Sequence, residues 1–236
     1  MGSSSSPILR VEHLRHSRAG DPGGWALEVP ALEIELRTFT VLDGAPGSGA
    51  GLLLRLLGLL ERPHAGEIFF ADMGTSGLDD PSRLELRNHA FGFIFAEPFL
   101  LDAFSVAENI AMPLFKISGL DLEQARQRAL ELLEFAGLLD TADDPVGELN
   151  PLQQQKLALA RSLASAPQVL IVEDAAAQLP EADRPEFFAN LRAARDWYGI
   201  AVIARASRAV AGADRSVRIE DGRIVDAPAE EARAHE

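Results

Sequence analysis

The stretch Gly44-Ala45-Pro46-Gly47-Ser48-Gly49-Ala50-Gly51 constrains the fold more than any other part of the chain. It stands between the short apolar run Phe39–Asp43 and the longer apolar run Leu52–Leu60. A buried strand, a turn of small residues and a helix, in that order, open a sheet whose strands are joined by helical crossovers. Further strand-length apolar runs occur at Leu9–Leu14, Trp25–Val29, Leu32–Leu36, Glu67–Ala71, Phe91–Phe95, Val169–Val172, Ile200–Ala204 and Ser216–Glu220, and helices fill the gaps. The pattern is α/β.

Two helical segments stand out in the middle of the chain. Leu122, Ala125, Ala129, Leu133 and Ala136 recur at helical spacing, with Gly137 at the stop. Asn150-Pro151 then supplies a capping residue and the imino acid favoured in a first turn, opening a helix through Ala164. The expected organisation is one domain over 1–226 with a helical subdomain inserted at about 97–166. The tail 227–236 is polar and alanine-rich and is expected to be flexible or a frayed helix.

Composition narrows the function. The chain has 236 residues, 47% of them hydrophobic, which lets a single domain bury roughly 70% of its unfolded surface. Its 22 basic and 36 acidic residues give a net charge of −14, which repels phosphate backbones, so no nucleic-acid partner is expected. The absence of cysteine excludes disulfides, thiolate metal sites and a Cys nucleophile. Leu52–Leu60 carries Arg55 in its middle and is far shorter than the ~20 residues a bilayer span needs. MGSSSSPILR lacks the basic start and apolar run of a signal peptide; Met1-Gly2 with Ser6 fits the loose myristoylation pattern, but the segment reads as a flexible start.

The glycines at 44, 47, 49 and 51 have the spacing of a loop whose backbone N–H groups face an anion at a helix N-terminus. Such loops also need a lysine for the β- and γ-phosphates and a hydroxyl for Mg²⁺. Ala50 and Gly51 stand at those positions, and Pro46 removes one donor. Taken alone, the segment reads equally well as a tight strand-to-helix turn.

Other landmarks follow in order: LLLRLLGLLERPHAGEIFF after the loop, LELRNHAFGFIFAEPFLLDAFSVAENIAMPL, LNPLQQQKLALARSLASAPQVLIVEDAAAQL and ADRSVRIEDGRIV. In this combination the chain resembles the ATP-binding subunits of ABC transporters, in particular the branch serving lipoprotein-release, macrolide-export and cell-division permeases. The resemblance covers nearly the whole chain. It implies a P-loop NTPase-like (RecA-like) core with an antiparallel β subdomain and an inserted helical subdomain. It also implies assembly as a homodimer or heterodimer with integral membrane permease subunits, peripheral at the cytoplasmic face of the membrane.

Carried over position by position, the family's functional residues are mostly replaced. In the phosphate loop Gly44, Gly47, Ser48, Gly49 and Leu52 keep the frame, while the lysine falls on Ala50 and its hydroxyl partner on Gly51. The adenine-stacking aromatic falls near Ser17 or Arg18, where a guanidinium can stack less well than a tyrosine ring. The glutamine that touches Mg²⁺ and the attacking water falls on Ala96. The metal-binding aspartate and general-base glutamate read Glu173 then Asp174; the swap misplaces carboxylates by roughly 1.5 Å, enough to lower catalysis about 10²-fold. Two acids solvated at a strand end remain the alternative for that pair.

The signature Ser-Gly-Gly-Gln reads Asn150-Pro151-Leu152-Gln153. Asn150 and Pro151 keep the helix start, while Pro151 has no N–H and Leu152 puts an apolar branch where a phosphate would approach. The switch histidine falls on Arg205, with Ser207 nearby; none of His13, His16, His64, His89 and His235 aligns with it, and the family's aspartate just beyond the acid pair falls on Pro180. Gly66, Asn88 and Gly222, of structural use, remain. The expectation is a pseudo-ATPase with a scaffolding or regulatory role, with no protein metal site and either no cofactor or weakly bound ATP or ADP with Mg. The alternatives are an ATP-hydrolysing subunit with unusual or partner-supplied ligands and a soluble interaction module. The segment Ala96–Pro113, where family members receive a permease helix, carries Phe99, Leu100, Leu101 and Phe104, readable as a docking surface or as core.

Overall fold

The computed structural model describes residues 6–17, 25–117, 119–206 and 210–225. Arg18, Ser207, His235 and the tail 227–236 lie outside the described residues. The elements run β1 (Leu9–Ser17), β2 (Trp25–Ile34), β3 (Phe39–Asp43), α1 (Ala50–Leu57), β4 (Ala65–Phe70), β5 (Met73–Gly74), α2 (Asp80–Ala90), β6 (Phe91–Phe95), α3 (Val106–Ile117), α4 (Leu122–Ala136), α5 (Pro151–Ser162), β7 (Val169–Glu173), α6 (Arg184–Tyr198), β8 (Ala201–Ala206), β9 (Arg215–Glu220) and β10 (Arg223–Val225). All ten strands form one sheet in the order β5-β4-β1-β2-β10-β9-β3-β8-β7-β6. From β9 to β6 the pairs are parallel; β5, β4, β1 and β2 pair antiparallel. This is the P-loop NTPase-like architecture with its antiparallel extension.

The parallel strands are covered on both faces, so they read as continuous apolar runs. In β7, Leu170 and Val172 face the core shared with α3, α4, α5 and α6, while Val169 and Ile171 face the core shared with α1 and the antiparallel strands. The five-residue strands β3 and β6 begin and end where the sequence pattern places them.

The predicted strands Trp25–Val29 and Leu32–Leu36 are instead one strand, β2. Pro30 does not break it, because the β1–β2 pairing omits Pro30 and His13, and His13 adopts a positive φ of 49°. A missing N–H is harmless where no ladder bond is required. Arg223–Val225 was not among the expected strands; its three residues are too few for a periodic signal, yet it joins the two halves of the sheet by pairing with β9 and, at Arg223↔Glu28, with β2.

Between β6 and β7 the chain is helical. α4 opens with an Asp121–Gln124 capping box and ends on Gly137 in the left-handed conformation. α5 follows two short 3₁₀ turns. These helices pack on the sheet face that also carries α6.

Candidate functional site

β3 delivers the chain into the glycine loop, and α1 begins at Ala50 directly behind it. Gly47 and Gly49 have φ of 88° and 102°, conformations that a side chain would strain. Gly49 also packs against the β9–β10 turn, where an added Cβ would lie 3.2 Å from the Gly222 Cα. That turn locks the loop: the Gly222 N–H donates to the Ser48 carbonyl at 2.7 Å and the Glu28 N–H donates to the Gly222 carbonyl at 2.7 Å. Ser48 turns inward, its Oγ accepting from the Ala50 N–H at 3.3 Å. Its hydroxyl is thus used by the loop itself.

A cavity of about 460 Å³ opens over the loop, walled by Gly47, Gly49, Gly51 and Leu52 on one side and Arg55, Glu173 and Arg205 on the other. Of the predicted site residues the fold therefore gathers the loop, one acid of the pair and the residue at the switch position. Ser17 reaches the cavity rim beside His16. Ala96 and Asn150–Gln153 are not part of this wall.

The charges on the wall are already matched. The Arg55 guanidinium, reaching across from α1, donates to Glu61 Oε1 at 2.6 Å and to Glu173 Oε1 at 3.3 Å. Burial works against its positive charge, but the hydrogen bond and charge of Glu61, reinforced by Glu173, raise its pKa above the ordinary value. Arg205 Nη1 donates to Asp174 Oδ2. Asp174 has φ 51°, a left-handed turn that aspartate tolerates better than most residues. Glu173 and Arg205 are register neighbours across β7 and β8, so both acids at the end of β7 face guanidinium groups of the same chain.

The pairing extends outward. His16 Nε2 lies 3.6 Å from Glu61 Oε2, and the rings of His16 and His64 are 4.3 Å apart. Desolvation, followed by the charge of His64, lowers the His16 pKa against the opposing pull of Glu61. Its Nδ1 is buried without a partner among the described residues.

Magnesium does not fit this donor set. Ala50 and Gly51 offer no side-chain ligand, Ala96 offers only a methyl group, and each acid is held by a guanidinium. A Cβ at Gly51 would lie 3.5 Å from Arg205 Cδ and 3.6 Å from both Arg205 Nε and Arg55 Nη1, ordinary contact distances that place both arginines beside this position of the loop. No group of three or more His, Asp or Glu among the described residues is arranged to hold a metal.

The segment Asn150–Gln153 caps a helix. Asn150 Oδ1 accepts from the Gln153 N–H at 2.9 Å, and Gln153 Oε1 accepts from the Asn150 N–H at 3.0 Å, a reciprocal capping box on α5 with Pro151 in the first turn. Leu152 packs at the edge of the helical core. Farther along α5, Gln155 Nε2 donates to the carbonyls of Phe95 and Ala96, at 3.2 and 3.0 Å. Arg161 donates to the carbonyls of Phe99 and Pro98, at 2.8 and 2.5 Å. In the loop they hold, Phe99 is 64% and Leu101 44% exposed, while Leu100 and Phe104 are half-buried.

Motif-by-motif reading overlooked Arg55, Glu61, Gln155 and Arg161. Arg55 did carry a signal: one charge inside LLLRLLGLL demands a partner, because arginine is almost never buried unpaired.

The chain matches the ABC transporter family profile over residues 27–177. It is 36% identical over 230 residues to the lipoprotein-releasing system ATP-binding protein LolD of Granulibacter bethesdensis, covering 96% of this chain and 100% of that protein. It is 32% identical over 199 residues to the macrolide export ATP-binding/permease protein MacB of Salmonella typhimurium, covering 84% of this chain and 31% of that longer protein. Among solved structures it superposes with a TM-score of 0.81 and 25% identity on a dimeric ATP-binding cassette in a post-hydrolysis state bound to ADP and Pi, covering 92% of this chain and 96% of that one.

Proposed function

The chain belongs to the ABC transporter family, and from that premise we propose that it is an ATP-binding-type subunit that assembles with an integral membrane permease without hydrolysing ATP. It would serve as scaffold or regulator, peripheral at the cytoplasmic face, paired with a second copy or with another ABC subunit, and with residues 97–166 as its helical subdomain. One observation carries the non-hydrolysing part. The acids at the end of β7 are paired to Arg55 and Arg205, beside a loop that has neither lysine nor hydroxyl. Both guanidinium groups beside the loop are engaged with carboxylates, so neither is free to polarise a phosphate and neither acid is free to activate water.

The permease part is supported by the relatives, one named as an ATP-binding protein of a releasing system and one as an ATP-binding/permease protein. The exposed Phe99 and Leu101 on a loop tied down by α5 also support it. No helix among the described residues is long and apolar enough to cross a membrane. The test is purification of the tagged chain from detergent-solubilised native membranes. The expected result is stoichiometric recovery of an integral membrane permease; recovery of no membrane protein contradicts it and favours a free-standing interaction module.

A second reading, a nucleotide-binding subunit with unusual or partner-supplied ligands, is favoured by the cavity of about 460 Å³ over the glycine loop. A saturable thermal shift with ATP, absent with a non-nucleotide polyanion, distinguishes it.

A further inference from the structure

Two guanidinium groups and three carboxylates meet beside the glycine loop: Arg55 with Glu61 and Glu173, and Arg205 with Asp174. Two positive charges against three negative leave no surplus positive charge for a polyphosphate, and the guanidinium groups offset the repulsion between the neighbouring carboxylates of Glu173 and Asp174. We infer that Arg55 and Arg205 are resident counter-ions, which hold the ends of α1, β7 and β8 together in the absence of metal and nucleotide. The inference rests on the non-hydrolysing reading above and deepens it by explaining how the emptied site stays folded.

Three observations converge. The end of β7 is held from two elements, by Arg55 from α1 at Glu173 and by Arg205 from β8 at Asp174. Next, the Arg205 stem and the Arg55 head both lie at contact distance from the position of a Gly51 Cβ, 3.5 and 3.6 Å, so both arginines also pack against the start of α1. Finally, the side chains of the two pairs are only 15–38% exposed, so solvent screens their attraction less than it does for surface pairs.

The alternative is that the arginine stems merely fill space. Methionine keeps much of the stem and removes the charge, so a thermal-denaturation cycle on the full chain separates the two. The expected midpoint of the unaltered chain is unmoved by MgCl₂, MnCl₂, EDTA or ATP at millimolar concentration. Arg55→Met/Arg205→Met lowers the midpoint by about 3–8 °C. Adding Glu173→Gln and Asp174→Asn to that variant restores at least half of the loss. Should the double variant fail to accumulate as folded protein, Arg205→Met compared with Asp174→Asn/Arg205→Met makes the same comparison.

A midpoint of the unaltered chain that rises with metal or ATP overturns the inference. So does a variant whose loss is untouched by neutralising the acids. Release of phosphate from MgATP defeats the non-hydrolysing reading, whereas absent charge rescue defeats only the counter-ion role.

Discussion

Replacing Asn150 with alanine should destabilise the protein by an amount that shows what the segment Asn150–Gln153 does. Asn150 Oδ1 accepts from the Gln153 N–H at 2.9 Å, and Gln153 returns the bond to the Asn150 N–H at 3.0 Å. Alanine removes the acceptor and leaves one N–H of the first turn of α5 to water. Loss of an N-cap side chain costs about 1 kcal/mol, within a range of roughly 0.5–2. In a chain of this size, 1 kcal/mol moves the thermal midpoint by about 2–4 °C. Calorimetry of Asn150→Ala, Asn150→Ser and Asn150→Gly against the unaltered chain is the assay. Serine retains a side-chain acceptor, one bond shorter but of comparable N-cap preference, and should fall within about 1 °C, and glycine should lose only a few tenths of a kcal/mol. An alanine variant that melts with the unaltered chain would refute the capping role and return Asn150 to the candidates for ligand contact.

Three further outcomes are expected. The lowered pKa of His16 means the unfolded chain binds its proton first as pH falls, so stability present above about pH 6.5 is lost as pH drops below it; His16→Gln should flatten the midpoint-against-pH curve there. Arg161→Met removes the donors to the Pro98 and Phe99 carbonyls, and limited proteolysis should then cut the segment Ala96–Ser105 several-fold faster while cleavage elsewhere is unchanged. Restoring the loop chemistry with Ala50→Lys/Gly51→Thr should leave phosphate release at background, because Ala96 and Leu152 still withhold their contacts.

The parts of the fold set by local pattern were legible in the sequence. β3 and β6 are continuous apolar runs with turn residues at their edges, and Gly137 and Asn150-Pro151 punctuate α4 and α5 as their residue types dictate. The expected separation of Trp25–Val29 from Leu32–Leu36 is not found, because a proline's effect depends on the partner strand: Pro30 is accommodated where His13 leaves the ladder. At the candidate site Ala50, Gly51 and Ala96 were legible as residues without the lysine, hydroxyl and amide that the resemblance implies. What replaced the missing groups was not, since Arg55 meets Glu173 across 118 residues of sequence and Arg205 meets Asp174 across 31. Pairings of that separation are written only in the sheet order that brings α1, β7 and β8 together.

Phosphate release from MgATP, measured on the purified chain and on its detergent-solubilised membrane complex, separates a silent site from a working one. Release is expected to be no faster than from heat-denatured protein and unchanged by Glu173→Gln or Asp174→Asn. Turnover above that background that either substitution abolishes would contradict it, because the carboxylates would then be free of their arginines and at work on the nucleotide.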